Sequence, residues 1–162
     1  HRLGWHRALL VVAAACSSTC LAACAGTPFS APAAHATASQ VDSAAIPGLG
    51  RVLVTPTGYV LYLYTPDRQG PSVCVTQCAT VWPPFVLPRG VVAAIAGPGV
   101  HPSLLGTVRR PGGARQVTYD RWPLYLYEKD TPGHDLGQDN EGLWYAISLD
   151  GAINRGPGPV VH

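Results

Sequence analysis

The chain has 162 residues, 47% of them hydrophobic and 12% charged, with a formal net charge of +2. That length holds one compact domain, or one domain with a tail, and excludes a large multidomain enzyme. The hydrophobic share excludes a disordered polyelectrolyte, and 18 glycines with 16 prolines point to many turns and away from long helices.

Residues 1–23 read as an export signal. Arg2 and Arg7 make a basic start, and Ala8 to Ala15 form an apolar run of signal-peptide length. Ser17, Ser18 and Thr19 interrupt it well short of the roughly 20 apolar residues that a spanning helix needs. The segment closes on Leu21-Ala22-Ala23-Cys24, which resembles a bacterial lipobox. The resemblance implies that Cys24 is acylated on its sulfur and becomes the mature N-terminus. It places the chain, lipid-anchored to the membrane, on the outer face of the bacterial cytoplasmic membrane in the cell envelope. Cys16 and Cys20 lack a leucine three residues earlier and leave with the signal. Cys74 and Cys78 then remain as an even pair in an oxidising compartment. Beyond Arg2 and Arg7 the basic and acidic residues balance, so no nucleic-acid partner is expected.

From Cys24 to Gly50 the composition is dominated by Ala, Thr, Ser and Pro without periodicity, and this stretch reads as a flexible tether. A coil of that length would hold a domain about 25–30 Å from its anchor.

Residues 51–154 read as one folded domain that repeats itself, with residues 155–162 as a tail. Leu61-Tyr62-Leu63-Tyr64 returns 63 positions later as Leu124-Tyr125-Leu126-Tyr127, Val54-Thr55 returns as Val117-Thr118, and Trp82 is matched by Trp144 with one residue deleted. Two copies, at about 51–86 and 115–149, indicate duplication of a supersecondary unit and are too few for a solenoid. Each LYLY run alternates aliphatic and aromatic residues with the period of a strand. Arg51 to Thr55, the turn Pro56-Thr57-Gly58, and Tyr59 onward predict a hairpin. Gln116 to Tyr119, Asp120-Arg121, and Trp122 onward predict its second copy. Trp144 to Ser148 predicts a further strand, ended at Asp150-Gly151. The expectation is all-β: two tandem repeats of antiparallel hairpins in one small sandwich or barrel-like domain.

The doubled pattern Tyr62-x-Tyr64-x-x-Asp67 and Tyr125-x-Tyr127-x-x-Asp130 resembles the bacterial secreted-repeat lipoproteins with a Y-x-[FWY]-x-x-D motif. The ordered string around it is similar too: two cysteines before Trp82-Pro83-Pro84, then Leu104-Leu105-Gly106-Thr107-Val108-x-Arg110, Gln116-Val117-Thr118-Tyr119, Pro132-Gly133 and Gly142-x-Trp144-Tyr145. The resemblance spans residues 51–154 and implies an envelope lipoprotein of unknown function. Two positions depart from it. Val75-Thr76-Gln77 stands where a glycine is usual between the cysteines, and Trp122 stands where a small or basic residue is expected.

The motif tyrosines and aspartates have two readings. One is an exposed surface for a glycan, a small molecule or an envelope protein. In the other, rings pack across the duplicated core and each aspartate receives turn N–H groups. Cys74 and Cys78 read as a local disulfide, which requires the segment to bend until the two Cα atoms lie within about 7 Å. The rival readings are a redox pair, or a metal site completed by His101 or His134, though no zinc spacing is present. Ala79 following Cys78 argues against covalent haem. Asp135, Asp139, Asn140 and Glu141 form an acidic loop without EF-hand spacing. No nucleophile elbow, zinc-protease helix or phosphate loop occurs, and a hydrolase built on Asp67 and Asp130 would need environments that separate acid from base. The expectation is therefore a non-enzymatic binding or structural module, with no catalytic residues, no metal and no cofactor beyond the lipid on Cys24.

Overall fold

The computed structural model describes residues 38–156. The export signal, Cys24, the first part of the tether and residues 157–162 lie outside the described residues. Strand β1 (Gln40–Ile46) and strand β2 (Gly50–Val54) form an antiparallel hairpin in which Asp42 lies opposite Val54 and Ile46 opposite Gly50. This corrects the tether expected through residue 50, whose last part is a strand with Val41 and Ile46 buried. Small residues such as Ser43, Ala44 and Ala45 carry no apolar signal. The strand is held by its ladder with β2 on one edge and by parallel pairing with β4 (Ile95–Ala96) on the other, and such pairing is set by context more than by composition.

After β2 the chain reverses through Pro56, Thr57 and Gly58. The Gly58 amide donates to the Thr55 carbonyl at 2.8 Å, and Gly58 has φ 89°, a left-handed position where glycine carries no Cβ penalty. Val60 bridges back to Val54, and β3 follows (Tyr62–Tyr64). A 3₁₀ turn (Thr65–Asp67), the cysteine loop and a single helical turn α1 (Cys78–Val81) lead to Trp82. The second half contains β5 (Leu105–Arg109), β6 (Arg115–Tyr119), β7 (Trp122–Pro123), β8 (Trp144–Ile147) and β9 (Ile153–Asn154). The β6–β7 turn is Asp120-Arg121, with φ of 44° and 68°. Positive φ at both central residues is the two-residue hairpin geometry that matches strand twist. The two copies thus turn differently, by a three-residue loop in the first and a two-residue loop in the second.

The strands form three small sheets, β2-β1-β4, β3-β8-β9 and β5-β6-β7; the fold is all-β, with tandem repeats. Each repeat lends its last strand to the other. Strand β8, from the second repeat, pairs antiparallel with β3 from the first, placing Tyr62 opposite Ala146 and Tyr64 opposite Trp144. Conversely, Pro84 and Val86 of the first repeat bridge to Tyr125 and Gln116 of the second. The two halves meet where Tyr62 and Tyr125 exchange both backbone hydrogen bonds at 2.9 Å, which marks an approximate two-fold relation between the repeats. Within it β1 and β5 occupy equivalent places as the first strand of each hairpin.

The LYLY alternation sorts side chains into two cores. Leu61, Leu63 and Leu124 pack with Val117, Tyr119, Tyr145 and Ile147 on one side. Tyr62 and Tyr125 pack with Trp82, Trp144, Val60 and Cys74 on the other. Both faces of the central strands are therefore covered. Trp122, unexpected at its position, is half-buried against the aliphatic core.

Candidate functional site

The motif residues converge on the junction of the two repeats. Trp82 and Trp144, equivalent residues, stack with centroids 3.8 Å apart and planes 1° from parallel. Tyr127 stacks on the outer face of Trp82 at 4.4 Å, and Tyr64 on that of Trp144 at 4.2 Å. The result is a four-ring stack in the order Tyr64, Trp144, Trp82, Tyr127, with half-buried tyrosines at its ends. Tyr62 meets Trp82 edge-on and Tyr125 meets Trp144 edge-on, the offset and T-shaped arrangements that ring quadrupoles favour. Gly137 is required by this packing, because a Cβ there would sit 2.8 Å from the Trp82 ring and 3.0 Å from Tyr62.

Each aspartate of the motif bonds the tyrosine of the opposite repeat. The Tyr62 hydroxyl donates to Asp130 Oδ2 at 2.7 Å, and the Tyr125 hydroxyl donates to Asp67 Oδ2 at 2.7 Å. Both tyrosines are fully buried, and both aspartates are more than nine-tenths buried. The Val73 amide donates to Asp67 Oδ1 at 2.7 Å. The equivalent amide 63 residues on is Leu136, which helps to lower the Asp130 pKa without reaching hydrogen-bond geometry, so Asp130 Oδ1 has no hydrogen-bond partner among the described residues. Burial pushes both carboxyls above their ordinary value, opposed by these hydrogen bonds. Burial likewise raises both phenols well above theirs, which keeps them as donors.

The two locks differ in their surroundings, an asymmetry the repeated sequence does not reveal. Beside Asp67, Arg110 donates through Nη1 to Ser72 Oγ and Gln116 Oε1, and through Nη2 to the Cys74 carbonyl. Ser72 Oγ in turn hydrogen-bonds the Tyr125 hydroxyl, and Gln116 Nε2 donates to the Leu124 carbonyl. The Arg110 charge lowers the Asp67 pKa, whereas Asp135 raises that of Asp130. Ser72, Arg110 and Gln116 were not singled out from sequence. Arg110 and Gln116 lie inside the family string, but their meeting with Ser72 is set by the fold alone. Among the described residues Asp67 and Asp130 share no hydrogen-bond partner, and each is engaged by the tyrosine of the other repeat.

Cys74 and Cys78 form a disulfide with Cα atoms 5.3 Å apart. Cys74 is buried, Cys78 half-buried, and between them Thr76 takes φ 51°, the left-handed region where a β-branched residue is strained. This is the segment in which the glycine usual to the pattern is absent. His101 and His134 are exposed. The His101 amide donates to the Tyr119 hydroxyl, and the His134 ring lies near Thr131 and the Pro132 carbonyl. Among the described residues no group of three or more His, Cys, Asp or Glu side chains is placed to hold a metal. In the acidic loop, Asp139 raises the Tyr145 phenol pKa by accepting its hydrogen bond, and Asp139 and Glu141 both have positive φ. The Asn140 carbonyl accepts from the Leu143 and Trp144 amides.

The fold is thus a tandem duplication whose two units exchange strands within one all-β domain. The sequence model of a family described as a secreted repeat of unknown function matches residues 43–86 and 106–148, together more than half of the chain, and the chain belongs to that family. The first match begins within β1 and the second within β5, in keeping with the equivalence of those strands. Neither the curated proteins nor the solved structures include a match.

Proposed function

We propose that the chain is a lipid-anchored envelope protein, held by acylated Cys24, whose duplicated domain acts as a non-enzymatic binding or structural module outside the membrane. The observation that carries the reading is the use made of the motif. Tyr62 and Tyr125 are sealed inside, and their hydroxyls and the Asp130 and Asp67 carboxylates are spent on each other across the repeat junction. Chemistry on an outside substrate would need these groups free and within reach. Their role here is to fasten two half-domains that exchange strands.

Two measurements test the two halves of this reading. Cys24→Ala should move the protein from the membrane fraction to the medium, and unchanged membrane partition would refute acylation as the anchor. Nitration of the native protein with tetranitromethane should spare Tyr62 and Tyr125 and modify Tyr64 and Tyr127. Modification of the inner pair in the folded state would overturn the fastening role. A second reading, thiol–disulfide exchange at Cys74–Cys78, is favoured by one feature: the Cys78 end of the bridge is half-buried and so nearer an attacking thiolate. A measured reduction potential below about −300 mV would sink it.

A further inference from the structure

Away from the repeat junction, a cleft of about 620 Å³ opens between the Pro88–Val92 turn and the tip of the β5–β6 hairpin, lined among others by Arg89, Val91, Val92 and Arg115. Its walls are tied together at the base: the Leu87 amide donates to the Arg115 carbonyl at 2.8 Å, and Val86 bridges Gln116. Each lip is closed by its own turn, Val91 N–H to the Pro88 carbonyl on one side and Arg110 N–H to the Ala114 carbonyl on the other. The cleft is therefore formed in advance of any ligand, and its volume lies in the range of small-molecule sites.

Its charge is one-sided. No aspartate or glutamate lies between Asp67 and Asp120 in the sequence, whereas that stretch carries Arg68, Arg89, Arg109, Arg110 and Arg115. Arg110 is drawn inward to Ser72, Gln116 and Cys74. Arg109 and Arg115 stand directly opposite each other in the β5–β6 register, so their side chains leave the same face, and like charges so placed destabilise a strand pair. Among the described residues Arg89, Arg109 and Arg115 have neither a side-chain hydrogen bond nor an ion pair. Beside these cations Val92 is left 67% exposed. The hairpin tip thus tolerates mutual repulsion at the mouth of a preformed cleft, next to an apolar surface that water covers poorly.

We propose that this cleft binds a small organic anion, with a carboxylate or phosphate group held by Arg89 and Arg115 and an apolar body against Val91 and Val92. Guanidinium forks suit both anions because two parallel N–H donors match two oxygens, and neutralising the Arg109–Arg115 pair adds to the gain. The site gives the binding half of the proposed function a place and a ligand class, and it rests on that reading without depending on the lipid anchor.

The test is a titration of the purified, disulfide-intact protein followed by ¹H–¹⁵N spectra, with benzoate, phenyl phosphate and the neutral isostere benzamide as probes. Benzoate or phenyl phosphate should produce saturable shifts at Gly90, Gly112, Gly113 and Ala114, and benzamide should not. Which anion binds more tightly distinguishes a carboxylate ligand from a phosphate ligand. Arg115→Gln and Arg89→Gln should each weaken binding about tenfold, the value of one charge-assisted hydrogen bond, while Arg121→Gln in the β6–β7 turn leaves it unchanged. Equal binding of benzamide, shifts scattered over all arginines, or insensitivity to both cleft substitutions would overturn the proposal. A negative titration together with medium release of Cys24→Ala would remove this site and leave the anchored-module reading standing.

Discussion

Removing one hydroxyl from the repeat junction should weaken the whole domain. In Tyr125→Phe, Asp67 Oδ2 loses its 2.7 Å donor and Ser72 Oγ loses its phenol partner, while the ring keeps its edge-on packing against Trp144. A hydrogen bond to a charged group is worth about 1.5–3 kcal/mol, and the group left behind is a buried carboxylate. Asp67 retains the Val73 amide and the nearby Arg110 charge, which limits the cost, so we expect a loss of about 2 kcal/mol in unfolding free energy, toward the lower end of that range. Urea titration of the purified protein, followed by far-ultraviolet circular dichroism and tryptophan fluorescence, should show a lower midpoint with an unchanged slope. Combined with Asp67→Asn in a double-mutant cycle, the pair should couple by about 1.5 kcal/mol across the two repeats. Tyr64→Phe is the control: its hydroxyl has no hydrogen-bond partner among the described residues, and its loss should cost less than about 0.5 kcal/mol. A Tyr125→Phe variant as mild as Tyr64→Phe, or a coupling with Asp67→Asn under about 0.5 kcal/mol, would refute the fastening role of this hydroxyl.

Gly137→Ala should destabilise by about 1–3 kcal/mol, because the new methyl meets Trp82 and Tyr62; a neutral result in the same urea assay would contradict the packing of the ring stack. Stability should fall as pH rises past 10, since burial raises both phenols above that ordinary value and the folded state holds protons the unfolded chain releases. Thermal melts of Tyr62→Phe and Tyr125→Phe should show a shallower alkaline decline. At the acid end the raised carboxyls act with the same sign: Asp67 and Asp130 bind protons more tightly when folded, so their contribution rises as pH falls toward the ordinary value of 3.8. An acid limb unchanged in Asp67→Asn and Asp130→Asn would refute it. Joint replacement of Cys74 and Cys78 by serine should cost about 2 kcal/mol for so short a loop, measurable as a shifted midpoint with the strand signal retained.

The duplication and the strand periodicity are legible in the chain itself, because each is a pattern of the sequence alone: an aliphatic–aromatic alternation and a 63-residue offset. The offset even pairs Val73 with Leu136, the two amides facing the two motif aspartates. The boundary at β1 was not legible, since Ser43, Ala44 and Ala45 look like tether until β2 and β4 flank them. Nor could a repeat reveal the asymmetry between its copies, which comes from Arg110 reaching Ser72 and the Cys74 carbonyl across the fold.

What the sequence by itself determined is therefore the strand character of the segments that become β2, β3, β6 and β8, the turns beside them, and that two equivalent units exist. Only the tertiary structure decided that each tyrosine bonds the aspartate of the other unit, that the tryptophans stack across the junction, and that Arg89 and Arg115, without a side-chain partner among the described residues, line one cleft. The physical reason is range. Periodicity and turn chemistry act over a few residues, whereas the buried hydrogen bonds of the junction join groups 50 to 70 positions apart, whose pairing exists only once the chain has closed on itself.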